Sequence, residues 1–201
     1  MAQVSVSDKQ ISVKIVYYGP GLSGKTTNLL YIHQRVASKN TTEMVSIATE
    51  GDRTLYFDFL PLKTNIVPNF TTKIQLYTVP GQVQYNATRR LVLQGADGIV
   101  FVEDSQWSRQ KDNAESFYNM KENLKEDGIE IQDIPYVLEY NKRDLNDIAN
   151  VQYMDYLLNR ESVRVPSFET IATEGQGVFD ALNTISRMVM AKLIKELKEN
   201  Q

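Results

Sequence analysis

A chain of 201 residues, 42% hydrophobic and 23% charged, has the length and apolar content for one domain with a sizeable core, which excludes a disulfide-stapled peptide and a disordered tail. Its 22 Lys and Arg stand against 25 Asp and Glu, a net charge of -3, so no bulk basic field draws it to nucleic acid or anionic lipid, and any phosphate recognition must be local. There is no cysteine, which excludes disulfides, thiolate metal sites, a cysteine nucleophile and every lipid anchor borne on a thiol.

Ala2 likewise excludes myristoylation, no apolar run approaches the roughly 20 residues that span a bilayer, and Met1 to Gln10 is polar. A cytoplasmic protein is therefore expected. From Ile11 to Tyr18 the chain is β-branched and aromatic and predicts a buried strand, stopped by Gly19-Pro20-Gly21. Gly24 to Ala37 predicts a helix with Leu29, Leu30, Ile32 and Val36 as its apolar positions. Two strand-like runs follow, Leu55 to Leu62 and Phe70 to Val79, close enough to pair antiparallel. Then come a helix at Tyr85 to Leu93, a strand at Gly98 to Glu103, a long polar helix at Gln110 to Lys125 and a strand at Pro135 to Tyr140. A helix at Val151 to Leu158, a strand at Val163 to Ile171 and a helix at Val178 to Lys198 complete the pattern. Alternating strands and helices imply βαβ units, a mostly parallel sheet covered on both faces, and ligands beyond the carboxyl ends of the strands.

Those loops hold the unusual residues. Gly19-Pro20-Gly21-Leu22-Ser23-Gly24-Lys25-Thr26 fits G-x-x-x-x-G-K-[ST] between a strand and a helix. A chance match costs roughly four in 10⁵ per position, or under about 1% over such a chain. Backbone N–H groups of such a loop cradle phosphates, Lys25 neutralises them, and the Thr26 hydroxyl suits Mg²⁺. Asn141-Lys142-Arg143-Asp144 follows the strand ending at Tyr140. A carboxylate such as Asp144 can accept two hydrogen bonds from guanine, whereas adenine offers neither donor, so an ATP-using reading is disfavoured. Asn141 would tie this loop to the phosphate loop and the Lys142 stem would cover the purine. At Thr78-Val79-Pro80-Gly81-Gln82, Gly81 lets a backbone N–H approach a γ-phosphate and Gln82 can orient an attacking water, although Pro-Gly also makes ordinary turns.

Taken together these residues resemble the Ras-like small GTPases along the whole chain, and more closely the bacterial mutual gliding-motility (MglA-type) polarity GTPases. The closer likeness rests on Val16 to Leu22, Gly24 to Leu29, Asp52 to Leu55, Phe57 to Leu62, Leu76 to Gln82 and Tyr140 to Leu145. The resemblance implies a P-loop NTPase small G domain, an α/β fold with a mostly parallel six- to seven-stranded sheet and helices on both faces. It places an extension at residues 1–10, the G domain at 11–198 and a tail at 199–201. It implies GTP or GDP and Mg²⁺ as ligands. Gly19, Gly21, Leu22, Ser23, Gly24, Lys25, Thr26, Thr27, Gly81, Asn141, Lys142, Asp144 and Ala172 are the expected nucleotide contacts. Thr26 and Thr54 are expected at the metal, and Gln82, Arg53, Thr54 and Lys25 in catalysis, with Arg53 as an internal finger for developing phosphate charge.

By the same resemblance, the protein acts alone as a monomer, is recruited to a cell pole by partners, and is served by a Roadblock-domain activating protein, an exchange factor and polarity or motility effectors. The alternative is a guanine-nucleotide-dependent scaffold with negligible hydrolysis. Two positions depart from the Ras pattern. Thr78 stands where an aspartate usually supports Mg²⁺ through water, which predicts weaker metal retention, with Asp52 and Asp58 as candidate replacements. In Glu169 to Thr173 only Ala172 matches Ser-Ala-Lys, so the backbone contact to the base is expected without the lysine stacking on the purine. Elsewhere plain readings serve: His33 at a helix boundary, Trp107 packing beside a helix, and Phe179, Leu182, Ile185, Val189, Leu193 and Leu197 as a core stripe.

Overall fold

The computed structural model describes residues 2–5, 7–36, 45–49, 53–64, 69–160 and 164–199, with backbone alone at 45–49, 53–59, 63, 64 and 83. At the centre lies β2 (Gln10–Tyr18), whose second half, Ile15 to Tyr18, is an unbroken apolar run buried on both faces. Val13, Ile15 and Tyr17 face one core, Val16 and Tyr18 the other. Burial on both faces is what a parallel strand roofed by helices requires, so from Ile15 on the residues no longer alternate with polar ones as they do at Gln10, Ser12 and Lys14.

Two parallel neighbours flank β2: β5 (Thr71–Thr78) and β6 (Gly98–Asp104). Beyond β6 the sheet continues through β7 (Tyr136–Asn141) to β8 (Ser167–Glu169), all parallel. On the other side β4 (Arg53–Thr64) runs antiparallel to β5, as the two runs predict, and β3 (Val45–Thr49) is antiparallel to β4. Pro61 is tolerated in β4 because the register of β3 ends at Phe59, so at Pro61 only β5 is a partner among the described residues. A short β1 (Gln3–Ser5) pairs antiparallel with the start of β2, drawing part of the expected N-terminal extension into the sheet.

Among the described residues the sheet thus has eight strands, two more than the apolar runs announce. Both extras are short and rich in small or polar residues, which leaves no periodic signal. The strand expected at Val163 to Ile171 contracts to Ser167–Glu169, behind Pro166, whose ring removes a ladder donor; Val163 lies outside the described residues.

Helices α1 (Lys25–Arg35) and α5 (Val178–Glu199) cover one face, and α2 (Asn86–Leu93), α3 (Gln110–Glu126) and α4 (Val151–Leu158) the other. α4 starts at Asn150, whose side chain accepts from the Tyr153 N–H at 2.8 Å. The α5 stripe is core at Leu182, Ile185, Val189 and Leu193, with Phe179 partly buried, while Leu197 lies past the sheet and is 42% exposed. Leu29 and Ile32 are the buried apolar positions of α1, whereas Leu30 is exposed. At the start of β6, Gly98 admits α5 to the backbone: a Cβ there would lie 2.5 Å from Val189 Cγ2. Trp107 packs on Tyr153 with ring centroids 4.7 Å apart and remains 43% exposed.

Candidate functional site

The loop leaving β2 turns on backbone conformations that side chains resist. Gly19 has φ +143°, and a Cβ there would sit 2.2 Å from the Val102 carbonyl oxygen; Gly24, which caps α1, has φ +106° and would meet Asn141 Nδ2 at 2.2 Å. Leu22 takes φ +65° with its side chain 70% exposed. Lys25 is buried, and its ammonium donates to the Gly19 and Pro20 carbonyls at 2.9 and 2.7 Å. These bonds bend the lysine back along its own loop, beside the amino end of α1, where backbone N–H groups and the helix dipole favour an anion.

Gly21, Leu22, Gly24, Lys25, Thr26 and Thr27 line a cleft of about 780 Å³ with Gly81 and Gln82 opposite. Gly81 lies directly on the phosphate loop, so that a Cβ would be 2.3 Å from the Gly21 nitrogen. The loop around Gln82 is held from below by Arg89 of α2, a buried arginine whose guanidinium donates to the Gln82 and Pro80 carbonyls and, through Nε, to Asn119 Oδ1 at 2.9 Å. Asn119 also accepts from Tyr18 at 2.8 Å and donates to Asn86 at 2.9 Å. Burial pushes the Tyr18 phenol up to about 12, with Arg89 opposing it, so Tyr18 stays a neutral donor. The Gln82 side-chain oxygen accepts from Gln84 Nε2 at 3.0 Å.

At the other end, Asn141 joins three loops. Its Nδ2 donates to the Ser23 carbonyl at 2.7 Å, and its Oδ1 accepts from Thr170 Oγ1 at 3.2 Å and from the Ala172 N–H at 3.0 Å. The Ala172 N–H expected to meet a base is thus also bound to Asn141. Arg143 stitches the loop down through Glu169 at 2.9 Å and the Ala149 carbonyl at 2.7 Å. Lys142 takes φ +65° and donates to Asp104 Oδ2 at 2.6 Å, and Asp144 is exposed.

Nearly all expected contacts on the phosphate loop, the Gly81 turn and the Asn141 loop therefore gather at the carboxyl ends of β2, β5 and β7. The backbone of Arg53 and Thr54 begins β4, opposite Thr49 and Ala48; their side chains, like that of Asp58, and all of Asp52, lie outside the described residues. Thr78 is buried at the end of β5. For Mg²⁺ the fitting donor is the Thr26 hydroxyl, a hard oxygen in the first turn of α1 beside Lys25. Sequence reasoning missed Arg89, Asn119, Arg109 and Asp104. Arg89 alone left a trace, a charged residue on the same α2 stripe as the buried Val92 and Leu93.

A Ras family model matches residues 14–191, most of the chain and all of this cleft. The mutual gliding-motility protein MglA of Myxococcus xanthus is 47% identical over 195 residues, 97% of this chain and 99% of that protein. The chain belongs to the Ras family, in its MglA-type branch. A GTP-binding protein of Schizosaccharomyces pombe, ypt1, is 28% identical over 181 residues, 90% of this chain and 81% of its own. Membership makes this Ras-family chain a small GTP-binding GTPase, and the mostly parallel sheet with helices on both faces is the G-domain fold.

Proposed function

We propose that the protein is a GTP-driven switch that hydrolyses GTP to GDP and phosphate and acts in cell polarity, gliding motility or polar placement of proteins; of these, gliding motility stands in the name of its Myxococcus xanthus relative. The observation that carries the reading is Asn141, which bonds the phosphate loop at Ser23 and the Ala172 loop at once and so fixes base and phosphate sites in one frame. Asp144 accepts from the guanine edge, the Lys142 stem covers the ring, and the Ala172 N–H, which Asn141 Oδ1 engages, would be shared with O6 when a base binds. The N–H groups of Gly21 to Thr26 and the Lys25 ammonium hold the phosphates. Thr26 and Thr54 would hold Mg²⁺, which when bound neutralises phosphate charge. Gln82 orients the attacking water, Gly81 offers its N–H to the γ-phosphate, and Arg53 stabilises the charge that develops as the bond breaks.

The protein works as a monomer under a Roadblock-domain activator, an exchange factor and effectors that bring it to a pole. A second reading, a nucleotide-dependent scaffold with little turnover, is favoured by one contact: the Gln82 amide oxygen is engaged by Gln84. Single-turnover GTP hydrolysis by the unmodified protein, Arg53→Ala and Gln82→Leu separates the two. Losses of about 10²-fold or more in each variant are expected from transition-state stabilisation of this kind. Equal rates in all three proteins sink the enzyme reading, and ATP competing at the concentrations where GTP does sinks the guanine assignment.

A further inference from the structure

Asp104 ends β6, the strand that lies between β2, which feeds the phosphate loop, and β7, which feeds the Asn141 loop. Its side chain is 1% exposed, a place where an ionised carboxylate survives only with compensating partners. It has them on both sides. Oδ2 accepts from Lys142 Nζ at 2.6 Å and lies 3.9 Å from Arg109 Nε, while Oδ1 accepts from the Gln106 N–H at 3.1 Å and from Gln106 Nε2 at 3.0 Å. Arg109 in turn donates from Nη2 to the Gly21 carbonyl at 2.8 Å and pairs with Asp112 at 2.5 Å. The Asp104 backbone is itself clamped: Asn113 accepts from its N–H at 3.0 Å and donates to its carbonyl at 2.9 Å. A fixed buried charge therefore holds one cation from the base loop, and steers another that grips the phosphate loop.

We infer that Asp104 is a positioning residue for the nucleotide, setting the Lys142 stem against the purine and, through Arg109, the Gly21 carbonyl at the phosphates; this rests on the guanine-nucleotide reading above. The charge matters more than the shape. An amide at this position keeps the oxygen that Gln106 bonds but loses the attraction for Lys142 and Arg109, so the frame survives while Lys142 is released and Arg109 is left to Asp112 and the Gly21 carbonyl alone. Hydrogen bonds to a charged group are among the stronger ones, so with Lys142 no longer held GDP release should quicken by about tenfold or more.

The experiment is stopped-flow release of a fluorescent GDP derivative from the full chain, with its melting temperature read alongside. Asp104→Asn is expected to release GDP about tenfold faster, and Arg109→Gln, at a partly exposed site, about threefold faster. Asp104→Asn added to a Lys142→Met, Arg109→Gln background is expected to change release by less than about twofold, because the groups it acts through are gone. Release from Asp104→Asn within about twofold of the unmodified protein overturns the inference, and so does an undiminished effect in the double-variant background. If Asp104→Asn melts before it can be measured, an unchanged rate in Arg109→Gln overturns the phosphate-loop arm. Failure of the unmodified protein to bind the GDP derivative would instead strike the functional reading itself.

Discussion

At the phosphate end of the cleft, form resides in the main chain: Gly19, Leu22 and Gly24 take positive φ, Lys25 bonds the carbonyls of its own loop, and Gly81 presses on Gly21 with no room for a side chain. At the base end, form resides in side chains that reach across loops, with Asn141 alone serving Ser23, Thr170 and Ala172. The first kind of construction tolerates changes of side chain wherever these point outward, as at exposed Leu22, and fails when a Cβ is added where two backbones touch. The second tolerates backbone adjustment and fails when one amide is removed.

The hardest blow to that contrast is struck at Asn141. Asn141→Ala leaves the Ser23 carbonyl and the donors at Thr170 and Ala172 without their partner, at about 1–3 kcal/mol for each buried group, so GDP and GTP affinity are expected to fall by about 10²-fold or more in calorimetric titration. Affinity within a few-fold of the unmodified protein would mean that the loops hold together without this residue. Gly81→Ala comes next. Its Cβ meets the Pro20–Gly21 backbone, and crowding of this kind costs about 1–3 kcal/mol, so single-turnover hydrolysis is expected to drop about tenfold while GDP binding, which needs no contact from Gly81, stays near normal. Equal losses of GDP binding and hydrolysis would show that the two loops are not separable.

The smallest effect lies beneath both ends. Glu139, wholly buried in β7 near Tyr17 and Asn28, is raised by burial from the ordinary 4.5 to about 8, with the Asn28 side chain acting the other way. The folded state therefore binds more protons than the unfolded one between these values, and stability falls as pH rises through that window. Between about pH 6 and about pH 8 the unmodified protein should lose about 1 kcal/mol or more in urea unfolding. Glu139→Gln removes its share of that slope and leaves the share of Glu103, which burial also raises well above its ordinary value, and an equal slope in the variant would remove Glu139 as a cause.

What the sequence disclosed follows the same division. The phosphate loop and the Asn141 loop are contiguous runs whose residue types state their own chemistry, and the central strands are apolar enough to be read directly. Arg109 could not be read that way, because its partner carbonyl, Gly21, lies 88 residues away in the chain, and Asp104 looks like nothing more than the residue after a strand. Arg89 and Asn119 belong to a polar network assembled only when α2 and α3 meet over Tyr18. β1 and β3 escaped because three and five residues of small or polar character carry no period, and their pairing partners supply the strand geometry instead.

The close seat of α5 on Gly98 bears on how the molecule comes into being. The helix that completes one face of the sheet is the last element of the domain, and Ile185 and Val189 rest on a strand laid down much earlier in the chain. A ribosome therefore releases β2, β6 and β7 with one apolar face covered by α1 alone until α5 emerges. Contacts of such long sequence separation form late and slowly, and the interval is one in which an unroofed sheet is open to aggregation. Acquisition of the nucleotide site, whose loops hang from those same strands, is thus tied to the emergence of α5.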